Sequence, residues 1–127
     1  MPYEPMTIRR LSELIASPAD TTHRLRLVYE FYEEYRHEGR PVRAALIGDS
    51  PCSIDRRWDA LIAALAEHLA FHDDLPAPVW LREPAVTLEP WWFPIDHPGY
   101  RALALATSPI SFRRRGVFVP ADIFEAA

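Results

Sequence analysis

The residues of this chain that could do chemistry are few, and the densest group is Ser111-Phe112-Arg113-Arg114-Arg115-Gly116, where three consecutive guanidiniums follow an aromatic ring. Guanidinium forks bind phosphates and carboxylates through paired N–H donors, so the run is a candidate contact for either. Without a ligand, the same run is a solvated basic corner whose arginines pair with the chain's own acids or cap helix carbonyls. His68 and His72, four residues apart beside Glu67, Asp73 and Asp74, could share one helix face. The order EHLAFH is not the HExxH of a zinc hydrolase, and His23, His37, His97 and Cys52 stand at spacings that do not complete a metal site. The expected role of the pair is a partly exposed helix end, where protonated imidazole suits the dipole.

Covalent catalysis finds no better footing. Ser50, Cys52 and Ser53 lack a G-x-S-x-G elbow, and four glycines provide neither a phosphate loop nor a dinucleotide fingerprint. Glu33-Glu34 and Asp73-Asp74 are adjacent pairs, which diverge on a helix and belong to solvated faces. With no nucleophile, base and orienter at workable spacing, the expectation is a protein that is not an enzyme, with no catalytic residue, bound metal or cofactor.

The elements that must position these groups come from a chain of 127 residues, 49% hydrophobic, with four Trp, five Tyr and six Phe. That length and apolar content fit one domain, residues 1–127, with an aromatic-rich core. A single cysteine excludes an internal disulfide and fits a reducing compartment. No apolar run approaches membrane-spanning length and the first ten residues lack a signal-peptide pattern, so a soluble, cytoplasmic protein without a membrane partner is expected. All fourteen basic residues are Arg, and Lys, Asn and Gln are absent, a bias that suggests a GC-rich bacterial genome. Formal charge is −1 over residues 1–40, −3 over 41–87 and 0 over 88–127. With no basic segment, autonomous nucleic-acid binding is disfavoured.

Asp55 to Ala70 organises the chain, because Trp58, Leu61, Ile62, Leu65 and Leu69 form one apolar stripe at helical spacing, capped by Ser53 or Asp55. Upstream, residues 1–6 are a loose lead-in and residues 7–50 are N-terminal helices. Thr7 caps a short helix bearing Ile8, Leu11, Leu14 and Ile15. Ser17 caps a long one that runs to about His37, with Pro18 at its first position and Asp20 in its first turn. In that long helix Leu25, Val28, Tyr32 and Tyr35, widened by Leu27, Tyr29 and Phe31, build core, while Glu30, Glu33 and Glu34 face solvent. Gly39 follows its end, Pro41 blocks continuation, and Val42 to Ile47 add a turn or two of helix. A helix-turn-helix reading of residues 7–38 is weak, since the second helix is acidic and aromatic where a recognition helix exposes base-reading side chains.

Residues 53–127 complete the domain. Pro76, Pro78, Pro84 and Pro90 exclude regular structure up to Trp91, which leaves an irregular segment draped over the helices and pinned by tryptophans. A helix spans 98–107, capped by Asp96 or His97, and Pro109 starts a short turn of helix through Phe112. Val117 to Pro120 form an edge strand or extended tail, and residues 121–126 a last helical turn. The fold class expected is mainly α, with about four to five helices, a Pro/Trp-rich irregular segment and a short extended C-terminal piece.

Across residues 55–125, the stretches WDALIAALAEHLA, LPAPVWLREP, LEPWWFP and ALALATSPISFRRRGVFVPADIF resemble a family of small, mostly actinobacterial regulators or antitoxins. These are found beside nucleotidyltransferase-type toxins of abortive-infection ancestry, and the WWF run and FRRRG-[VI]-F carry the resemblance most specifically. It implies a non-catalytic module that binds and neutralises a cognate toxin. Under that implication Arg113, Arg114 and Arg115 make the electrostatic contact, and Trp91, Trp92, Phe93 and Phe112 are the apolar anchors. The competing assignment puts every tryptophan in the core. Longer relatives carry an N-terminal helix-turn-helix that residues 7–50 do not match, which weakens the alternative of a DNA-binding transcriptional regulator using the N-terminal helices. A homodimer through the Tyr-rich helix is a further partner option.

Overall fold

The computed structural model describes residues 4–17, 19–82 and 84–124, and among them it holds six α-helices and one short 3-10 turn. The chain is one mainly helical domain. Helix α1 (Ile8–Ala16) starts where the Thr7 side chain accepts from the Arg10 N–H, and buries Ile8, Leu11, Ser12 and Ile15. Helix α2 (Thr21–Arg36) is capped by Asp20, which accepts from His23 N–H, and not by Ser17, which closes α1 instead. Both residues are good caps. Pro18, the expected first helical residue, lies outside the described residues.

Gly39 and Pro41 open helix α3 (Arg40–Gly48), in which Pro41 stands in the first turn. Proline lacks a donor that the first turn does not use, so the residue expected to stop one helix starts the next. Helix α4 (Arg56–His72) is capped by Asp55, whose carboxylate accepts from Trp58 N–H at 2.9 Å, and it buries eight residues around the Trp58–Leu69 stripe. It packs against α1, α3 and, most extensively, helix α6 (Ile110–Arg113). Helix α5 (Pro98–Thr107) is different: Ala104 is its single buried residue. A 3-10 turn (Ala121–Phe124) follows, and the rest of the expected closing turn lies outside the described residues.

Two irregular segments tie the C-terminal half together. Residues 76–92 cross the helices as a strap, held where the Trp80 indole N–H donates to the Ile47 carbonyl at 2.8 Å. Residues 114–118 run parallel to its end: Leu88 N–H donates to Arg115 O, Trp92 N–H to Gly116 O and Phe118 N–H to Trp92 O, at 2.8–2.9 Å. The expected edge strand or tail at 117–120 is therefore an extended segment inside the protein, with Val117, Phe118 and Val119 each under 5% exposed. Its apolar side chains leave it no stable place outside. Gly116 permits the close pairing, because its φ is +73° and a Cβ there would meet Leu88 O at 2.8 Å.

The lead-in is less loose than its prolines suggest. Met6 N–H donates to the Glu34 carboxylate at 3.0 Å, and the Met6 side chain packs on the core, while residues 1–3 lie outside the described residues.

Candidate functional site

The structure divides the arginine triplet. Arg115 is 3% exposed, and its two terminal nitrogens donate to both oxygens of Glu67 at 3.0 and 3.1 Å, with a further bond to the Ser111 carbonyl. Burial alone would raise the Glu67 carboxyl, but the hydrogen bonds and charge of Arg115, aided by Ser111 and Arg114, outweigh it and hold the group below the usual carboxylate range. Arg115 thus locks the turn after α6 onto α4. Arg114 stands at the mouth of the same pair, 3.6 Å from Glu67. Arg113 is exposed and donates to the carbonyls of Leu105 and Ser108, capping the end of α5. Pairing with the chain's own acid and capping carbonyls is what the ligand-free alternative described.

The aromatic anchors divide as well. Trp92 is buried edge-on against Trp58 with ring centroids 5.0 Å apart, and Arg57 lies over its outer face at 5.6 Å. Phe112 is 1% exposed and packs against His68. Arg115, Phe112 and Trp92 are therefore parts of the fold and not surface anchors, a correction to the expected contact set. In an extended segment neighbouring side chains point opposite ways, so burying Trp92 turns Trp91 outward. Trp91 is 57% exposed, yet supported from beneath by Phe118 at 4.8 Å; Phe93 stacks on the same ring at 5.3 Å and carries Arg101 of α5 at 4.5 Å.

Motif reading also did not single out the exposed apolar side chains of α5 and the start of α6, which project from more than one side of the helix. Tyr100, Leu103 and Leu105 of α5 are 39–46% exposed, and Ile110 at the start of α6 is 65% exposed. The signal was present in PGYRALALAT, whose only charged residue is Arg101. A helix apolar all round is normally central, and this one lies at the surface. Arg101 lies on α5 and Arg113 reaches its last turn, although Arg101 also pairs with Asp96 at 2.8 Å.

A second polar centre joins α2, α3 and the end of α4. The Tyr35 hydroxyl donates to Asp73 at 2.5 Å, Arg43 pairs with the same oxygen at 3.2 Å, and the His72 ring lies 3.1 Å from the other. Arg43 also covers the Tyr35 ring at 5.1 Å, and Arg40 donates to the Asp73 and Asp74 carbonyls. Burial, reinforced by the bond to Asp73, pushes the Tyr35 phenol upward and keeps it protonated. For Asp73 burial acts upward too, but the bonds from Tyr35 and His72 and the charge of Arg43 prevail and lower it. Although Arg43 Nε is buried without a hydrogen-bond partner, these contacts make the cluster a clamp between helices. Phe31 and Tyr35 are buried, and Tyr29 is the large apolar residue of α2 that is exposed. Among the described residues, no three His, Cys, Asp or Glu side chains group so as to hold a metal ion. Burial, with the charge of His72, lowers His68, favouring its neutral form. No described helix is long and apolar enough to cross a membrane.

Compared with protein-family models, curated proteins and solved structures, the chain finds no match.

Proposed function

We propose that this chain is a non-catalytic protein-binding module that neutralises a toxin enzyme, and that it does so through the face made by α5, the start of α6 and Trp91. The observation that supports this reading is the exposed apolar helix: Tyr100, Leu103, Leu105, Ile110 and Trp91 lie in water although buried partners for them would stabilise the fold. Binding sites concentrate their energy in rigid aromatics and arginines, and here Trp91 is braced by Phe118 while the exposed Arg113 reaches the end of α5. The kind of partner comes from the sequence resemblance: a nucleotidyltransferase-type toxin holds metal and nucleotide phosphates with clustered carboxylates. Exposed arginines complement such an acidic mouth.

The test is co-expression of the chain with the product of the neighbouring gene, followed by capture on a tag. A stable complex is expected, together with loss of toxicity. Changing Leu103 and Leu105 to Ser should weaken capture at least tenfold, since the two lie on different sides of α5 and the pair removes an apolar side chain from whichever side meets the partner without opening the core. Circular dichroism should be unchanged. Capture that survives the double change, or no complex at all, would overturn the reading.

A further inference from the structure

A separate cavity lies between α4 and the strap. It is a cleft of about 530 Å³ between the loop before α4, the first two turns of α4 and residues 80–88. Its size is that of a small-molecule site. The floor is apolar: Ile62, Trp80 and Leu88 are buried or half-buried, and Ala60, Ala63 and Val86 continue the surface upward. Trp80 is fixed by its bond to Ile47, so the floor is set before any ligand arrives.

The charged groups around this floor are uneven. Arg115 faces the cleft but is engaged by Glu67, and Asp59 is engaged by the Ser53 hydroxyl and Ile54 N–H at 2.8 and 2.7 Å. Arg56, from the first turn of α4, and Arg82, from the strap opposite, are both exposed, and among the described residues neither makes an ion pair or hydrogen bond. The chain has fourteen arginines and a net charge of −4, and most of its partly buried guanidiniums are paired or stacked. Arg56 and Arg82 are two uncommitted forks lining one cleft. Guanidinium forks favour carboxylate and phosphate, because both N–H donors find an oxygen.

We infer that the cleft between α4 and the strap is a binding site for a small molecule with a flat apolar body and an anionic head, the body lying on Trp80, Ile62 and Leu88 and the head held between Arg56 and Arg82. Cys52, the only cysteine, lines the same cleft and reports its occupancy.

The experiment follows the rate at which Cys52 of the full chain reacts with the neutral reagent 2,2′-dithiodipyridine while 2-naphthoate, 2-naphthyl phosphate or neutral 2-naphthamide is titrated in. Saturable protection by the naphthoate or the phosphate is expected, with the amide at least tenfold weaker; the tighter anion identifies the head group. The double variant Arg56→Ala/Arg82→Ala should lose protection by at least tenfold, whereas the remote Arg9→Ala/Arg10→Ala variant should not. Circular dichroism monitors folding, and Ala63→Trp, which fills the cleft, gives a second route to the same loss. Absence of protection by either anion, equal protection by the amide, or unchanged protection in the Arg56/Arg82 variant would overturn the inference.

Discussion

Helices α4 and α5 are both rich in Ala and Leu, yet they serve opposite ends. In α4 the apolar residues recur on one stripe and eight of them are buried, while in α5 Ala104 alone is. Helix α4 is held by packing from several sides. Helix α5 is held at its ends: Arg101 reaches Asp96 and Phe93, Arg113 caps its last carbonyls, and Thr107 accepts from Ala121 N–H at 3.1 Å. The buried Ser108 that follows accepts from Val119 N–H and donates to Val117 O, both at 3.3 Å. An element positioned by polar ties at its ends leaves its apolar sides available. That division separates a helix that builds the core from one that stays largely exposed.

The contrast can be broken by mutation. Leu65 of α4 is fully buried, so Leu65→Ala should cost about 2–5 kcal/mol in chemical denaturation. Arg115→Ala leaves Glu67 as a part-buried charge supported by Ser111 and Arg114 alone, and about 3 kcal/mol should be lost. The same change should move Glu67 back up toward the ordinary carboxylate range. Gly116→Ala sets a Cβ against the Leu88 backbone at a positive φ, and a loss of roughly 2 kcal/mol is expected from the strain.

Acid should probe the two ties next. Glu67 and Asp73 are both lower in the folded chain than in the unfolded one. Each therefore contributes stability that is present above the ordinary carboxylate pKa of ~4 and is lost as pH falls through its lower folded value. Unfolding midpoints measured from pH 6 downward should decline through that window, and Arg115→Ala should decline less steeply than the parent. The smallest effect is reserved for α5: Leu103→Ser and Leu105→Ser should each change stability by no more than about 0.5 kcal/mol. A loss at Leu105 as large as that at Leu65 would abolish the distinction between the two helices.

Much of the fold was legible because helix starts are local. The caps at Thr7 and Asp55, the stripe of α4 and the proline opening of α5 each depend on residues within a turn of one another. The mainly α class and the strap pinned by Trp80 follow from the same kind of evidence. Where two local signals were equivalent, the choice went astray. Ser17 and Asp20 cap equally well in isolation, whereas Pro41 lies beyond the end of α2 and Val42–Ile47 are helical, as their pattern implied.

The candidate site was only half legible. Sequence determined that residues 91–93 and 112–116 hold an unusual concentration of aromatic rings and guanidiniums, and that α5 is apolar around its circumference. It did not determine which of two adjacent tryptophans turns inward, since an extended chain sends neighbours to opposite sides and either register satisfies the pattern. Nor did it separate three identical arginines. Only the tertiary structure did that, by bringing Glu67 across 48 residues to Arg115 and by letting Gly116 close against Leu88. A charge is drawn inside when a buried partner awaits it, and that partner is set by packing, not by spacing along the chain.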